Sequence, residues 1–404
     1  MVRIDRSQAI RRALAVLAAG AIGAGAFAGI AGANGRQGQV PTSAVKGYVK
    51  GLPPDLVPLY ATSHTLLGPS AYRAWKPEKK PWTICFNNSY LGNTWRAVSL
   101  QAFNALVAKY RKAGLVVKGI STDSNENVTT QIQQMRDMID VDHCSGIITI
   151  PTGTSGMDGV IKSAYDAGIP VVDDLGPTTS PYAENFDENF YTSGLAEATF
   201  LAKAMGGKGS LLDVIGIPGE TLDLEYQAAL HTALKKYPGI HIIGQVTGEV
   251  TNTVAQSAVL QFLSTHPEPI TGVFQEGGMG IGIYNAFEEE KRPIPAIVEV
   301  GTGGFTALWH ELIKDGKRPK FYELTDPPIF CMNESFNILV RILEGQHPKN
   351  MTIFYTPPAI TASNVTKWWK PGMTKTSTTW PEPPVNPLTT AKMNAYFTNG
   401  KAPL

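Results

Sequence analysis

The 404-residue chain is too long for one small core and suits two domains of ordinary size. Its 35 basic and 34 acidic side chains nearly cancel, leaving a formal net charge of +1 and no field to hold a polyanion, which sets nucleic-acid binding aside. Apolar residues at 43% and charged residues at 17% are the proportions of a soluble globular protein.

In chain order, the first feature is an export signal over residues 1–33. Arg3, Arg6, Arg11 and Arg12 form a basic start, residues 13–30 carry no charge, and Ala31-Gly32-Ala33 is the small-x-small pattern of a cleavage site. The apolar stretch is only just long enough to span a bilayer and no second one follows, which argues against an anchor. The Arg11-Arg12 pair leaves a twin-arginine export route open. No cysteine lies near Ala33 for lipid attachment, and an exported protein without that tether is retained only by an outer membrane, so the expected location is a periplasm. Cys85, Cys144 and Cys331 are odd in number and widely spaced, and are expected as buried free thiols rather than as a disulfide or metal site.

Residues 34–80 are rich in proline and glycine and read as an extension that wraps or dangles. From Pro81 the pattern changes. Short apolar runs at 82–86, 115–120, 146–150 and 170–172 alternate with helical spacing at 97–113, 129–138 and 157–167. The rhythm restarts after Asp187, with helices expected at 191–205, 221–237, 254–265 and 279–291 and strands at 210–215, 241–246, 272–275 and 297–300. A last helix at 329–344 precedes a Pro- and Trp-rich tail. Strands alternating with helices of ten or more residues predict an α/β fold of two doubly wound parallel sheets, with helices on both faces of each.

Ligands of such sheets bind where strands hand over to helices. The polar stretches there include CFNNSYLGNTWR (85–96), PTGTSG (151–156), DDLGP (173–177), GIPGETLD (216–223), QEGG (275–278), GTGGF (301–305) and TDPP (325–328). Nucleotide chemistry finds no support, because GGMGIG at 277–282 has the wrong glycine intervals for a dinucleotide and no P-loop occurs. No GxSxG elbow or HExxH cluster is present, and the seven histidines sit singly, so neither catalysis nor a metal or cofactor is expected. Amides, carboxylates and aromatics remain, a set that holds hydroxyls and covers the apolar face of a ring.

Four segments carry a family resemblance: ICFNNSYLGNTW, IITIPTGTSGMDGVIKSAYDAGIPVVD, GVFQEGGMGIGIYNAF and VEVGTGGFTALWHELIKDG. In order and spacing, from about Pro81 to Pro358, the chain resembles the type I periplasmic substrate-binding proteins of ABC importers, the ribose-binding-like group. The resemblance implies two lobes joined by three crossings, here near Phe186, Asp326 and Thr352, that close on a solute at the hinge. The first lobe would comprise 81–186 and 327–351, the second 187–326 and 352–358, with 359–404 as a tail. It also implies that Asn88, Tyr90 and Trp95 serve as the first-lobe amide and stacking aromatics. The second-lobe amide of the family falls near Glu276 or Gly277, its hinge glutamine falls on Asp326, and its acidic loop position falls on Gly303. The Asp-Arg pair of many sugar binders is replaced by Asp173-Asp174-Leu175-Gly176.

Those departures leave the ligand open while keeping the role. Glu276, Asp326 and the Asp173-Asp174 pair suit hydroxyl or cationic groups and oppose anions, an effect that Arg96 offsets only if it faces the cleft rather than solvent. Competing structural roles stand beside each: Asn87 and Asn88 as helix caps, Tyr90 and Trp95 as packing under the loop, Asp173 and Asp174 as turn residues. The expected function is a monomeric periplasmic receptor, not an enzyme, that captures a sugar, polyol or related cyclic solute and delivers it to the membrane permease of an ABC importer. The alternative is a ligand sensor that presents its solute to a membrane kinase or chemoreceptor.

Overall fold

The computed structural model describes residues 47–63 and 65–403. The expected export signal and the first part of the extension lie outside the described residues.

Two six-stranded sheets form, each with helices on both faces, as the alternation predicts. The first contains β1 (Trp82–Asn88), β2 (Val116–Asp123), β3 (Gly146–Ile150), β4 (Val171–Asp174), β5 (Ala183–Asp187) and β11 (Thr352–Phe354), in the order β11-β5-β4-β3-β1-β2, all parallel. The second contains β6 (Lys208–Ile215), β7 (Gly239–Thr247), β8 (Gly272–Gln275), β9 (Ala296–Glu299), β10 (Phe321–Leu324) and β12 (Ala359–Ile360), in the order β12-β10-β9-β8-β6-β7, with only β12 antiparallel. Central β3, GIITI, is buried along its whole length, the apolar run of a parallel strand covered on both faces. Edge strand β2 is partly exposed.

The helices that place the site are α2 (Thr94–Lys112) after β1, α5 (Phe190–Ala204) after β5, α6 (Thr221–Leu234) after β6, α9 (Gly303–Lys314) after β9 and α10 (Pro328–Leu343) after β10. Asn93 caps α2 by accepting from the Arg96 amide at 2.9 Å, so that helix starts three residues before the expected 97. Asn87 and Asn88 are therefore strand residues and not its caps.

The chain crosses between lobes after β5, after β10 and after β11. Residues 352–354 pair with β5 in the first sheet, so the third crossing follows Phe354 rather than falling near Thr352. The short TIF run pairs over three residues, too few to show a helical or strand period of its own.

Cys85 and Cys144 form a disulfide, with Cα atoms 6.1 Å apart, and Cys331 alone is a buried free thiol. This corrects the expectation of three free thiols. The sheet places β1 beside β3, bringing together residues 59 apart in sequence, a neighbourhood that cysteine spacing does not encode.

Both chain extensions pack as structure. Leu52, Leu56, Leu59, Tyr60 and Tyr72 are buried in the first-lobe core, and Tyr60 Oη donates to the Thr352 carbonyl at 2.6 Å. The same segment reaches the second lobe, where Asn189 Nδ2 donates to the Leu59 carbonyl at 2.6 Å. The tail leaves β12 on the second lobe, where Trp368 is buried, and returns to the first, burying Leu388, Met393, Tyr396 and Phe397. It thus crosses between the lobes a fourth time.

Candidate functional site

A cavity of about 360 Å³ lies between the lobes at the carboxyl ends of the strands, the position where parallel sheets place ligands. From the first lobe, Trp95, Arg96, Pro151, Asp174 and Leu175 line it; from the second, Glu188, Phe190, Glu220, Asn252, Glu276 and Gly278; from the crossing after β10, Asp326; and from the tail, Thr378 and Trp380.

Of the seven residues singled out in the sequence, Trp95, Asp174, Glu276 and Asp326 line the cavity. Trp95, in the first turn of α2, donates its Nε1–H to the Asp326 carbonyl at 2.8 Å, tying the loop of one lobe to the chain crossing. Asp174 is fully buried, its Oδ1 accepting from Ser335 Oγ at 2.8 Å, and burial raises its carboxyl to about 6. Glu276 accepts from the Gly216 amide at 2.7 Å and from Gln227 Nε2 at 2.8 Å, yet burial lifts its carboxyl to about 8. Asp326 Oδ1 is buried without a partner among the described residues, and burial, with Asp174 and Glu299 nearby, raises its carboxyl to about 8.

Asn88, Tyr90 and Asp173 do not line the cavity. Asn88 is buried, donates to the Tyr90 carbonyl at 2.6 Å and accepts from Arg96 Nη1 at 3.3 Å. The Tyr90 ring lies over Gly92, filling the space an added Cβ would need. Asp173 Oδ1 accepts the Gly176 amide at 2.8 Å, a turn role, and burial holds its carboxyl well above the usual range. Between the two, Leu175 takes a left-handed φ of 56° in the cavity wall, a strained conformation of the kind that collects at binding sites.

Arg96 faces the cleft. Its Nη1 donates to Ser89 Oγ at 3.1 Å and its Nη2 stands 3.7 Å from Glu220 of the other lobe, with only 12% of its side chain exposed. Among the lining residues it is the lone cation against five carboxylates, Asp174, Glu188, Glu220, Glu276 and Asp326. Burial raises all five above their ordinary range. Glu276 and Asp326, both raised to about 8, can donate as well as accept when they hold a proton, and five acids beside one arginine disfavour anions.

Several lining residues are not assigned to the site by the sequence reading, among them Glu188, Glu220 and Trp380, the last of which belongs to a Trp-rich tail expected either to brace the hinge or to contact a partner. Glu188 follows β5, whose AENFD sequence has no apolar run to announce a strand. Glu220 sits in the GIPGETLD junction, which pointed to it without naming it. Trp380 belongs to a tail with no periodic signal.

The family profile described as a periplasmic binding protein domain matches residues 84–346, well over half of the chain. The chain belongs to the periplasmic binding protein family. Among curated relatives it is similar to the xylitol-binding protein of Mycolicibacterium smegmatis, at 24% identity over 247 residues, 60% of this chain and 68% of that one. It is also similar to the galactofuranose-binding protein of Escherichia coli, at 24% identity over 290 residues, 68% and 86% of the two chains. Among solved structures it resembles an ABC transporter solute-binding protein from Thermobispora bispora, with a TM-score of 0.65 at 23% identity, covering 75% of this chain and 92% of that one. The two-lobed type I fold expected from the sequence is thereby borne out.

Proposed function

We propose that the protein is the solute-binding component of an ABC importer, a monomer that captures a neutral sugar, polyol or related cyclic compound in the interlobe cleft and delivers it to a membrane permease. The observation that carries this reading is the cavity itself: its walls come from both lobes, and its acids are held toward the protonated form beside the Trp95 ring. The names of the xylitol- and galactofuranose-binding relatives support the solute class. Periplasmic location is part of the proposal, supported by the basic and apolar pattern of residues 1–33 and by a disulfide, a bond that persists in oxidising compartments.

Closure follows from differential contact. A solute that touches Trp95 and Asp174 on one lobe and Glu276 on the other binds the closed arrangement better and shifts the population toward it. The Arg96–Glu220 pair, at 3.7 Å across the cleft, forms only with the lobes together.

Thermal-shift titration of the purified protein against aldoses, cyclitols, acyclic polyols, amino acids and aromatic acids tests the reading. A bound solute at about 100 times its Kd adds roughly 2.7 kcal/mol of stability. Sugars or polyols are expected to raise Tm, and a response only to acids or amino acids, or to nothing, overturns the proposal. Trp95→Ala is expected to weaken the responding solute about 10- to 100-fold by calorimetry, roughly 1.4 to 2.8 kcal/mol, through loss of the ring face and of the bond to Asp326.

A further inference from the structure

We infer that the C-terminal tail is a built-in third wall of the solute cleft, and that Trp380 is a specificity-determining platform that favours solutes with an apolar ring face. This rests on the binding-cleft reading above and deepens it.

The tail is seated by two glycines. At the start of α9 the Gly303 amide donates to the Thr379 carbonyl at 2.8 Å. A Cβ on Gly303 would stand 2.5 Å from Thr379 Oγ1 and 2.6 Å from its carbonyl oxygen, and one on Gly304 would stand 2.8 Å from the Lys375 carbonyl oxygen. Any side chain at either position displaces the tail, since real Cβ atoms do not approach backbone oxygens so closely. Residues 375–379 therefore occupy the helix terminus whose first amides would otherwise face the cleft.

Seating that segment delivers Trp380. Its indole is 8% exposed, lies 3.6 Å from where a Cβ on Gly278 would be, and donates Nε1–H to Thr94 Oγ1 of the first lobe at 3.3 Å. Its polar edge turns to Thr94, and Trp380 is part of the cavity wall. The position is fixed from both sides. Trp368 is buried in the second-lobe core upstream, and Leu388 in the first-lobe core downstream, while the intervening Pro381-Glu382-Pro383-Pro384 is stiff. The cleft thus presents aromatic surface from α2 and from the tail, with carboxyls between, an arrangement matched by a ring carrying hydroxyls on its rim and C–H groups on its face.

Calorimetry on the full mature chain tests this with D-galactose, myo-inositol, xylitol and glycerol as probes. Wild type binding neither these nor any sugar or polyol of the thermal-shift panel sinks the binding-cleft reading itself, and wild type binding only the acyclic xylitol or glycerol sinks the platform alone. Where wild type binds a cyclic probe, Trp380→Ala is expected to weaken it about 10-fold or more while changing the acyclic probes less than about 3-fold. Gly303→Ala removes no cavity-lining side chain and is expected to reproduce that pattern by unseating the tail. Trp380→Phe keeps a ring and is expected to hold affinity within about 3-fold while losing part of the solute-induced change in tryptophan fluorescence. Unchanged cyclic-probe affinity in both Trp380→Ala and Gly303→Ala, or an identical fluorescence change in Trp380→Phe, overturns the inference.

Discussion

The melting temperature is expected to fall as pH rises from about 5 to about 8. Burial raises many buried carboxyls in the folded chain, and six of them reach the near-neutral range: Asp174 and Asp213 at about 6, Asp187 and Glu299 at about 7, Glu276 and Asp326 at about 8, with burial the leading cause in each. In the unfolded chain such groups titrate near 4. Between about pH 4 and 8 the folded state therefore holds more protons than the unfolded state, and stability declines with rising pH. The contribution is fully present below the unfolded value and is lost as pH passes through the folded ones. Summed over six groups, with neighbours relaxing, the loss is on the order of several kcal/mol. Asp326 is the sharpest test because its Oδ1 has no hydrogen-bond partner among the described residues. Asp326→Asn is expected to raise Tm at pH 8, change it little at pH 5 and flatten the slope between. A Tm that climbs with pH in wild type, or a slope unaltered in Asp326→Asn, contradicts the account.

The same burial explains which parts of the molecule the sequence displays. Strand β3 shows itself because all five of its residues are buried and apolar or small, and α3 (Val128–Asp140) because its buried positions Gln131, Met135 and Met138 recur at helical spacing. Strands β5 and β10 hide because they bury Glu184, Asn185, Asp187 and Glu323, breaking the apolar run that would mark them. At the cleft, the junction rule finds the right loops but not which side chain faces inward. Asp173 and Asp174 are adjacent in β4, and successive strand residues point to opposite faces, so Asp174 lines the cavity while Asp173 holds the Gly176 turn. Asn88 and Tyr90 fold back onto Arg96 and Gly92 instead. Trp380 is illegible locally because its place depends on a space opened by two glycines some 75 residues earlier, at Gly303 and Gly304.

Removing the Cys85–Cys144 bond is expected to cost about 4 kcal/mol, the chain-entropy value for a closed loop of this separation, 59 residues. For a chain of this size that lowers Tm by roughly 5 °C. Both sulfurs are buried among Met135, Met138 and Ile147, so the double variant Cys85→Ala/Cys144→Ala also leaves a small void and the loss should not fall short of that figure. Solute affinity is expected to change far less. The bond joins β1 to the turn before β3, whereas the cleft lies at the carboxyl ends of those strands, where Trp95 and Arg96 are held by Asp326, Ser89 and Glu220. Thiol titration in denaturant decides whether the bond exists in the exported protein: with Cys331 the single free cysteine, one thiol is expected before reduction and three after. Three reactive thiols before reduction would remove the bond, and with it one support for an oxidising compartment.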